Sequence, residues 1–194
     1  MKCSLRDLNI DKFNNYKICS CTKLKNNILN GHVILFYNTG NIYYEGQWLN
    51  NMKHGHGILY DKYGNLEYDG EWENDMKNGD GILYYDKNKN FYNNTIFHNT
   101  PETFELTNSI RNYYKNTKIK YYGHYENGTK NGYGELFYIN SKLQYKGTWE
   151  NDMKHGDGIL YNENGEIIYD GLWKNDERKK KFNFSYKCML CNII

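Results

Sequence analysis

Along this chain apolar and polar residues alternate at period two in short runs. Tyr44, Gly46 and Trp48 fall on one side of such a run, and Glu45 and Gln47 on the other. That is the periodicity of a strand, not of a helix. The run then returns: YEGQW at 44–48, YDGEW at 68–72, YYGHY at 121–125, YKGTW at 145–149 and YDGLW at 169–173. The starts 44 and 68 lie 24 residues apart, as do 121 and 145, and 145 and 169. Behind the first four openings, in constant phase, stand Gly55 and Gly57, Gly79 and Gly81, Gly132 and Gly134, Gly156 and Gly158. Leu59, Leu83, Leu136 and Leu160 follow, and then Tyr60, Tyr84, Phe137 and Tyr161. An aliphatic residue (Ile42, Leu66, Ile119, Leu143, Ile167) sits two places before each opening Tyr.

Each unit therefore predicts a β-hairpin. The first strand carries the opening aromatics, a seven-residue segment such as LNNMKHG (49–55) turns the chain, and Gly-x-Gly-x-Leu returns. Asn and Gly in Tyr63-Gly64-Asn65 and Asn164-Gly165 supply the positive φ of tight turns. Glycine inside a strand weakens it. Gly57, Gly81, Gly134 and Gly158, repeated in a column, are expected to make room for neighbouring Tyr and Trp rings.

The array is expected to span 20–176, after an N-terminal extension (1–19) and before a basic, aromatic and Cys-containing tail (177–194). Regular units fall at 44–67, 68–91, 121–144 and 145–168, with a final strand at 169–176. A degenerate unit at 20–43 places Leu24 in the Trp column and Gly31 and Val33 in the Gly-x-Gly column. The jump from 68 to 121 is 53 residues, or 24 plus 29, so a second degenerate unit with an insertion is expected at 92–120. The fold class is all-β: an elongated, single-layer antiparallel sheet of 24-residue hairpins.

Composition sharpens this picture. Only 39% of residues are hydrophobic but 17% are aromatic, with 21 Tyr. A thin sheet suits that mixture, because Tyr and Trp bury ring faces while keeping a polar edge wet. Net charge is +2, which provides no global field for nucleic acid. MKCSLRDLNIDKF has no signal-peptide core, and the five Cys are expected to be reduced thiols in a cytoplasmic chain.

The pattern Tyr-x-Gly-x-Trp, then Gly-x-Gly seven residues on, then an aromatic, resembles the MORN (membrane occupation and recognition nexus) repeat. The motif is complete at four places, and it is degraded at 92–120, where Asn94 and Thr95-Ile96 replace Gly and Trp. The resemblance implies a non-catalytic, cofactor-free interaction scaffold, because MORN arrays occur beside lipid kinases and methyltransferase domains and alone at cortical cytoskeletons. It also implies protein partners, a cytoskeletal or membrane-peripheral location, and a homodimer formed end to end. The few residues outside the array are expected to leave no room for a catalytic domain.

Four sets of side chains are candidates for function. Tyr44, Trp48, Tyr68, Trp72, Tyr121, Tyr125, Tyr145, Trp149, Tyr169 and Trp173 offer an aromatic face to a protein partner. Lys53, Lys77, Lys130 and Lys154 recur just before Gly-x-Gly and are expected to form a rim roughly 10 Å apart. With Arg178, Lys179, Lys180 and Lys181 they would meet anionic phospholipid, the alternative function; their bland reading is solvated turn lysines. Cys188 and Cys191 lie in a C-terminal sequence similar to a lipidation box, although Asn192 and Ile194 are atypical of one. Phe182, Phe184 and Tyr186 alternate as one more capping strand would. His54 and His155 share a column with Asn78 and Asn131 and are expected to be polar turn residues, neither catalytic nor metal-binding. Cys19-x-Cys21 and Cys188-x-x-Cys191 would supply four thiolates to zinc only if the array's ends met, yet these stand roughly 60 Å apart.

Overall fold

The computed structural model describes residues 5–7, 13, 15–19, 26, 28–86 and 118–179. They form one 13-stranded sheet in which neighbours in sequence are neighbours in space. Its strands are β1 (Leu5–Asp7), β2 (Tyr16–Cys19), β3 (Gly31–Tyr37), β4 (Ile42–Leu49), β5 (Met52–Tyr60), β6 (Leu66–Glu73) and β7 (Met76–Tyr84). They continue as β8 (Ile119–Glu126), β9 (Thr129–Phe137), β10 (Leu143–Glu150), β11 (Met153–Tyr161), β12 (Ile167–Lys174) and β13 (Glu177–Arg178). Every pair is antiparallel. The sheet reaches back past residue 20, since β1 pairs with β2 and β2 with β3.

The turn inside each hairpin is shorter than the seven residues expected. Asn50 and Asn51 both hold positive φ, as do Asn74 and Asp75, Asn151 and Asp152, and Asn175 and Asp176. Two such residues complete a tight hairpin turn, so Met52-Lys53-His54-Gly55 already belongs to β5. The connections between hairpins use glycine instead at Gly40, Gly64 and Gly165, and Ser141 (φ 67) at the β9–β10 turn. Gly64 (φ 85) closes the β5–β6 turn, with Asp61 accepting the amides of Tyr63 and Asn65 on its carboxylate.

β7 pairs directly with β8 in the register of the other junctions: Gly79 with Tyr125, Gly81 with Gly123, Tyr84 with Ile119. No hairpin stands between them, so the unit expected at 92–120 has no place in the ladder there. The sheet neither breaks nor loses register. Residues 87–117 lie outside the described residues.

The larger core cluster lies on one face, and a smaller one, Tyr60, Leu66 and Tyr84 with Ile42, Ile58, Ile82 and Ile119 against it, is separate from it. Glycines of the first and second strands stand opposite one another, Gly46 by Gly57, Gly70 by Gly81, Gly123 by Gly134 and Gly147 by Gly158. Over each pair lies the ring of the same hairpin's opening Tyr, and Tyr44, Tyr68, Tyr121 and Tyr145 are 0% exposed. The register slips just past the first-strand glycine, between Gly46 and Trp48 and at the equivalent places, as in a β-bulge. The Tyr hydroxyl donates to the carbonyl of the bulged residue. Tyr145 reaches Thr148 O at 3.0 Å, and Tyr68 reaches Glu71 O at 3.2 Å.

Candidate functional site

The Tyr44, Tyr68, Tyr121 and Tyr145 rings are each clasped edge-on by two large rings. Tyr145 has Trp149 at 5.1 Å and Trp173 at 5.5 Å; Tyr121 has Tyr125 at 5.3 Å and Trp149 at 5.5 Å. The T-shaped chain runs from Phe13 on Trp48 to Tyr169 on Trp173, and it crosses the β7–β8 junction through Tyr68 and Tyr125 at 5.5 Å. Edge-to-face contact suits the ring quadrupoles, positive edge to negative face. Trp72, Trp149 and Trp173 each donate Nε1–H to the carbonyl of Gly57, Gly134 and Gly158 in the preceding hairpin. Burial pushes the Tyr44, Tyr68, Tyr121, Tyr125 and Tyr145 phenols well above their ordinary pKa.

The aromatic residues expected to meet a partner are therefore core. Tyr44, Tyr68, Tyr121, Tyr145, Trp48, Trp72, Tyr125, Trp149 and Trp173 are all buried, because adjacent hairpins cover one another's rings; Tyr169, in the last full strand, is partly open.

The lysine column lies on this same face and not on a free rim. Lys130 Nζ sits 5.5 Å from the Tyr121 ring and 5.1 Å from Trp149, and Lys154 Nζ 5.6 Å from Tyr145 and 5.5 Å from Trp173. Lys53 lies over Tyr43, Tyr44 and Trp72, and Lys77 over Tyr68 and Tyr125. Arg178 continues the column over Tyr169 and Trp173. Each is a cation over an electron-rich ring face.

An aspartate column pins the lysines, a feature the sequence reading missed although its spacing was visible. Asp152, in the turn of the next hairpin, accepts from the Lys130 backbone N–H at 3.0 Å and from Lys130 Nζ at 3.1 Å. Asp176 does the same for Lys154, at 2.9 and 3.2 Å, and Asp75 accepts from the Lys53 N–H at 2.8 Å. Each aspartate also donates its own amide back to the lysine carbonyl. Burial would raise the Asp152 and Asp176 carboxyls, but the lysine N–H and ammonium outweigh it and hold both below the usual range.

His54 and His155 occupy strands, not turns. His155 Nδ1 lies 3.0 Å from Glu150 Oε2, and Asn131 Nδ2 donates to Glu126 Oε2 across the equivalent hairpin at 2.7 Å. His56 Nε2 meets Asp69 Oδ1 at 2.9 Å, a hydrogen bond that raises the imidazole's pKa against the opposing effect of burial. In the tail, Lys179 pairs with Glu177 at 2.6 Å. Lys180, Lys181, Cys188, Cys191, Cys21, Leu24 and the expected strand at 182–186 lie outside the described residues.

An open single sheet grown from identical hairpins, with each hairpin burying the next one's rings, is a repeat protein of the quasi-one-dimensional class. The MORN repeat profile matches residues 44–64, 68–89, 121–141 and 145–167. The chain is a MORN-repeat protein. No curated protein matches it. Among the described residues no helix is long and apolar enough to cross a membrane.

Proposed function

We propose that this chain is a non-catalytic protein-interaction scaffold at a membrane-associated or axonemal cytoskeleton. The observation that carries the reading is the apolar surface of the last full strand: Ile167 is 60%, Ile168 47% and Leu172 50% exposed. Among the described residues β13 pairs with Trp173 and Lys174 alone, and one further backbone bond, from the Lys179 amide to Leu172 O at 2.8 Å, reaches that edge. A strand with an open edge and exposed aliphatics is a template for another chain. The column of buried rings behind it makes the surface rigid, so docking orders little of the scaffold itself. The lipid-binding alternative draws less support, since Lys130 and Lys154 are about four-fifths buried and held by aspartates.

The test is a pull-down with mass spectrometry, comparing the tagged chain with Ile167→Lys/Ile168→Lys/Leu172→Lys. The wild type should retain a defined protein set that the triple variant loses. Identical sets from both would overturn this edge as the contact. Flotation on anionic liposomes that weakens with added salt, without retained protein, would favour the lipid reading.

A further inference from the structure

The lysine–aspartate column has one gap. At the hairpin after Lys77, the turn reads Asn127-Gly128, where the others place Asp75, Asp152 and Asp176. The backbone there is otherwise preserved: Gly128 holds φ 86, and its amide donates to Lys77 O at 2.9 Å, as Asp152 does to Lys130 O at 3.0 Å. Only the carboxylate is missing. A Cβ on Gly128 would have no heavy atom within 4 Å, so the place of the side chain is open space, and Gly128 itself is exposed.

Two donors remain around that space. Lys77 Nζ lies 4.7 Å from the Tyr68 ring and 5.6 Å from Tyr125, in the cage that Lys130 and Lys154 occupy in their own hairpins. Among the described residues no carboxylate pairs with it, and no side chain accepts from its backbone N–H. Burial lowers the ammonium's pKa, and the Glu67 and Asp152 carboxylates, charged but not paired with it, oppose that only in part. The ring beside it belongs to Tyr125, whose buried hydroxyl has no partner among the described residues. A half-buried cation with a vacant counter-ion position gains from an arriving anion what its neighbours gain from theirs.

We propose that the notch between Lys77 and Gly128 binds a free carboxylate, supplied by an aspartate side chain on an acidic segment of a protein partner. The three neighbouring hairpins specify the chemistry, because in each the same pocket is filled by a carboxylate one methylene from the backbone. Its Oδ1 takes the backbone N–H, and in the Lys130 and Lys154 hairpins the ammonium as well. An aspartate presented by another chain would make these contacts in the open space above Gly128. The partner's identity as protein rests on the scaffold reading; the carboxylate site does not.

The experiment is an amide-resolved NMR titration of the full ¹⁵N-labelled chain with N-acetyl-aspartate N-methylamide. The Lys77 and Gly128 amides should move and saturate at millimolar probe, while those of Lys53, Lys130 and Lys154 stay put. The capped asparagine should do nothing. Gly128→Asp installs the neighbours' residue in the left-handed region that Asp75 (φ 68), Asp152 (φ 66) and Asp176 (φ 65) already adopt, so it should fold and weaken the probe at least ~10-fold, about 1.4 kcal/mol. Lys77→Met should do likewise. No movement at Lys77, equal movement in Gly128→Asp, or an equal response to capped asparagine or inorganic phosphate would overturn the proposal. Because the titration needs no partner, its failure is separate from a failed pull-down.

Discussion

Replacing Gly134 by Val tests why this strand carries glycine where propensity would favour a branched residue. A Cβ at Gly134 would stand 2.5 Å from Tyr121 Cζ and 2.7 Å from Cε2, far inside the roughly 3.5–4.0 Å of favourable carbon contact. The backbone has nowhere to retreat, because Gly123 faces it so closely that a Cβ there would meet Gly134 Cα at 2.5 Å. The ring must leave. It is 0% exposed, donates to His124 O and touches Tyr125 and Trp149. Expelling a buried aromatic costs about 3–5 kcal/mol, while the strand propensity of Val returns under about 1 kcal/mol. The net loss should be about 3 kcal/mol, read as a fall of roughly 1–2 M in the urea midpoint by tryptophan fluorescence. In a Tyr121→Ala background, Gly134→Val should cost little. The coupling should exceed 1 kcal/mol and be larger than that with Tyr125→Leu, since Tyr121 and not Tyr125 covers Gly134. Simple additivity with Tyr121→Ala would refute the steric account. The companion glycine gives a contrast: Gly132 has φ +79 and only ordinary contact with His124, so Gly132→Asn should be mild where Gly134→Asn is severe.

Trp149→Ala should cost about 3–5 kcal/mol, because the ring is 3% exposed and donates to Gly134 O; a loss under ~1 kcal/mol in the same denaturation assay would show that the ring is not core. Asp176→Asn should lower stability by about 1 kcal/mol at neutral pH. The Asp176 carboxyl is depressed in the folded chain, so its contribution is present above the ordinary carboxylate pKa and vanishes as pH falls through the folded value. Wild type and Asp176→Asn melting curves should therefore converge in acid, and a constant gap would contradict the ion pair. Far-UV circular dichroism should show strand and less than a fifth helix, against about a third in ordinary domains.

The sequence alone determined the period, the strand alternation, the fold class and which residues share a column, because hairpin units of fixed length write their register directly into spacing. It also showed that the second-strand glycines serve packing. The aspartate column and its gap at Gly128 were equally written in the spacing, but their meaning depended on knowing that Asp152 reaches the Lys130 amide across the turn. Tertiary structure decided which contacts the columns make. Tyr121 folds back over Gly134 because the bulge in its own strand presents a carbonyl three residues on, whereas Tyr125 turns to the preceding hairpin and packs on Tyr68. Lys130 looks like a turn lysine in the sequence and is a cation about four-fifths buried in the fold, because the two-residue turn at Asn127-Gly128 leaves it inside β9. The junction at 84–119 was likewise beyond reach of spacing. A 53-residue step admits another hairpin in the ladder or none, and only the pairing of Gly81 with Gly123 shows that the sheet closes directly.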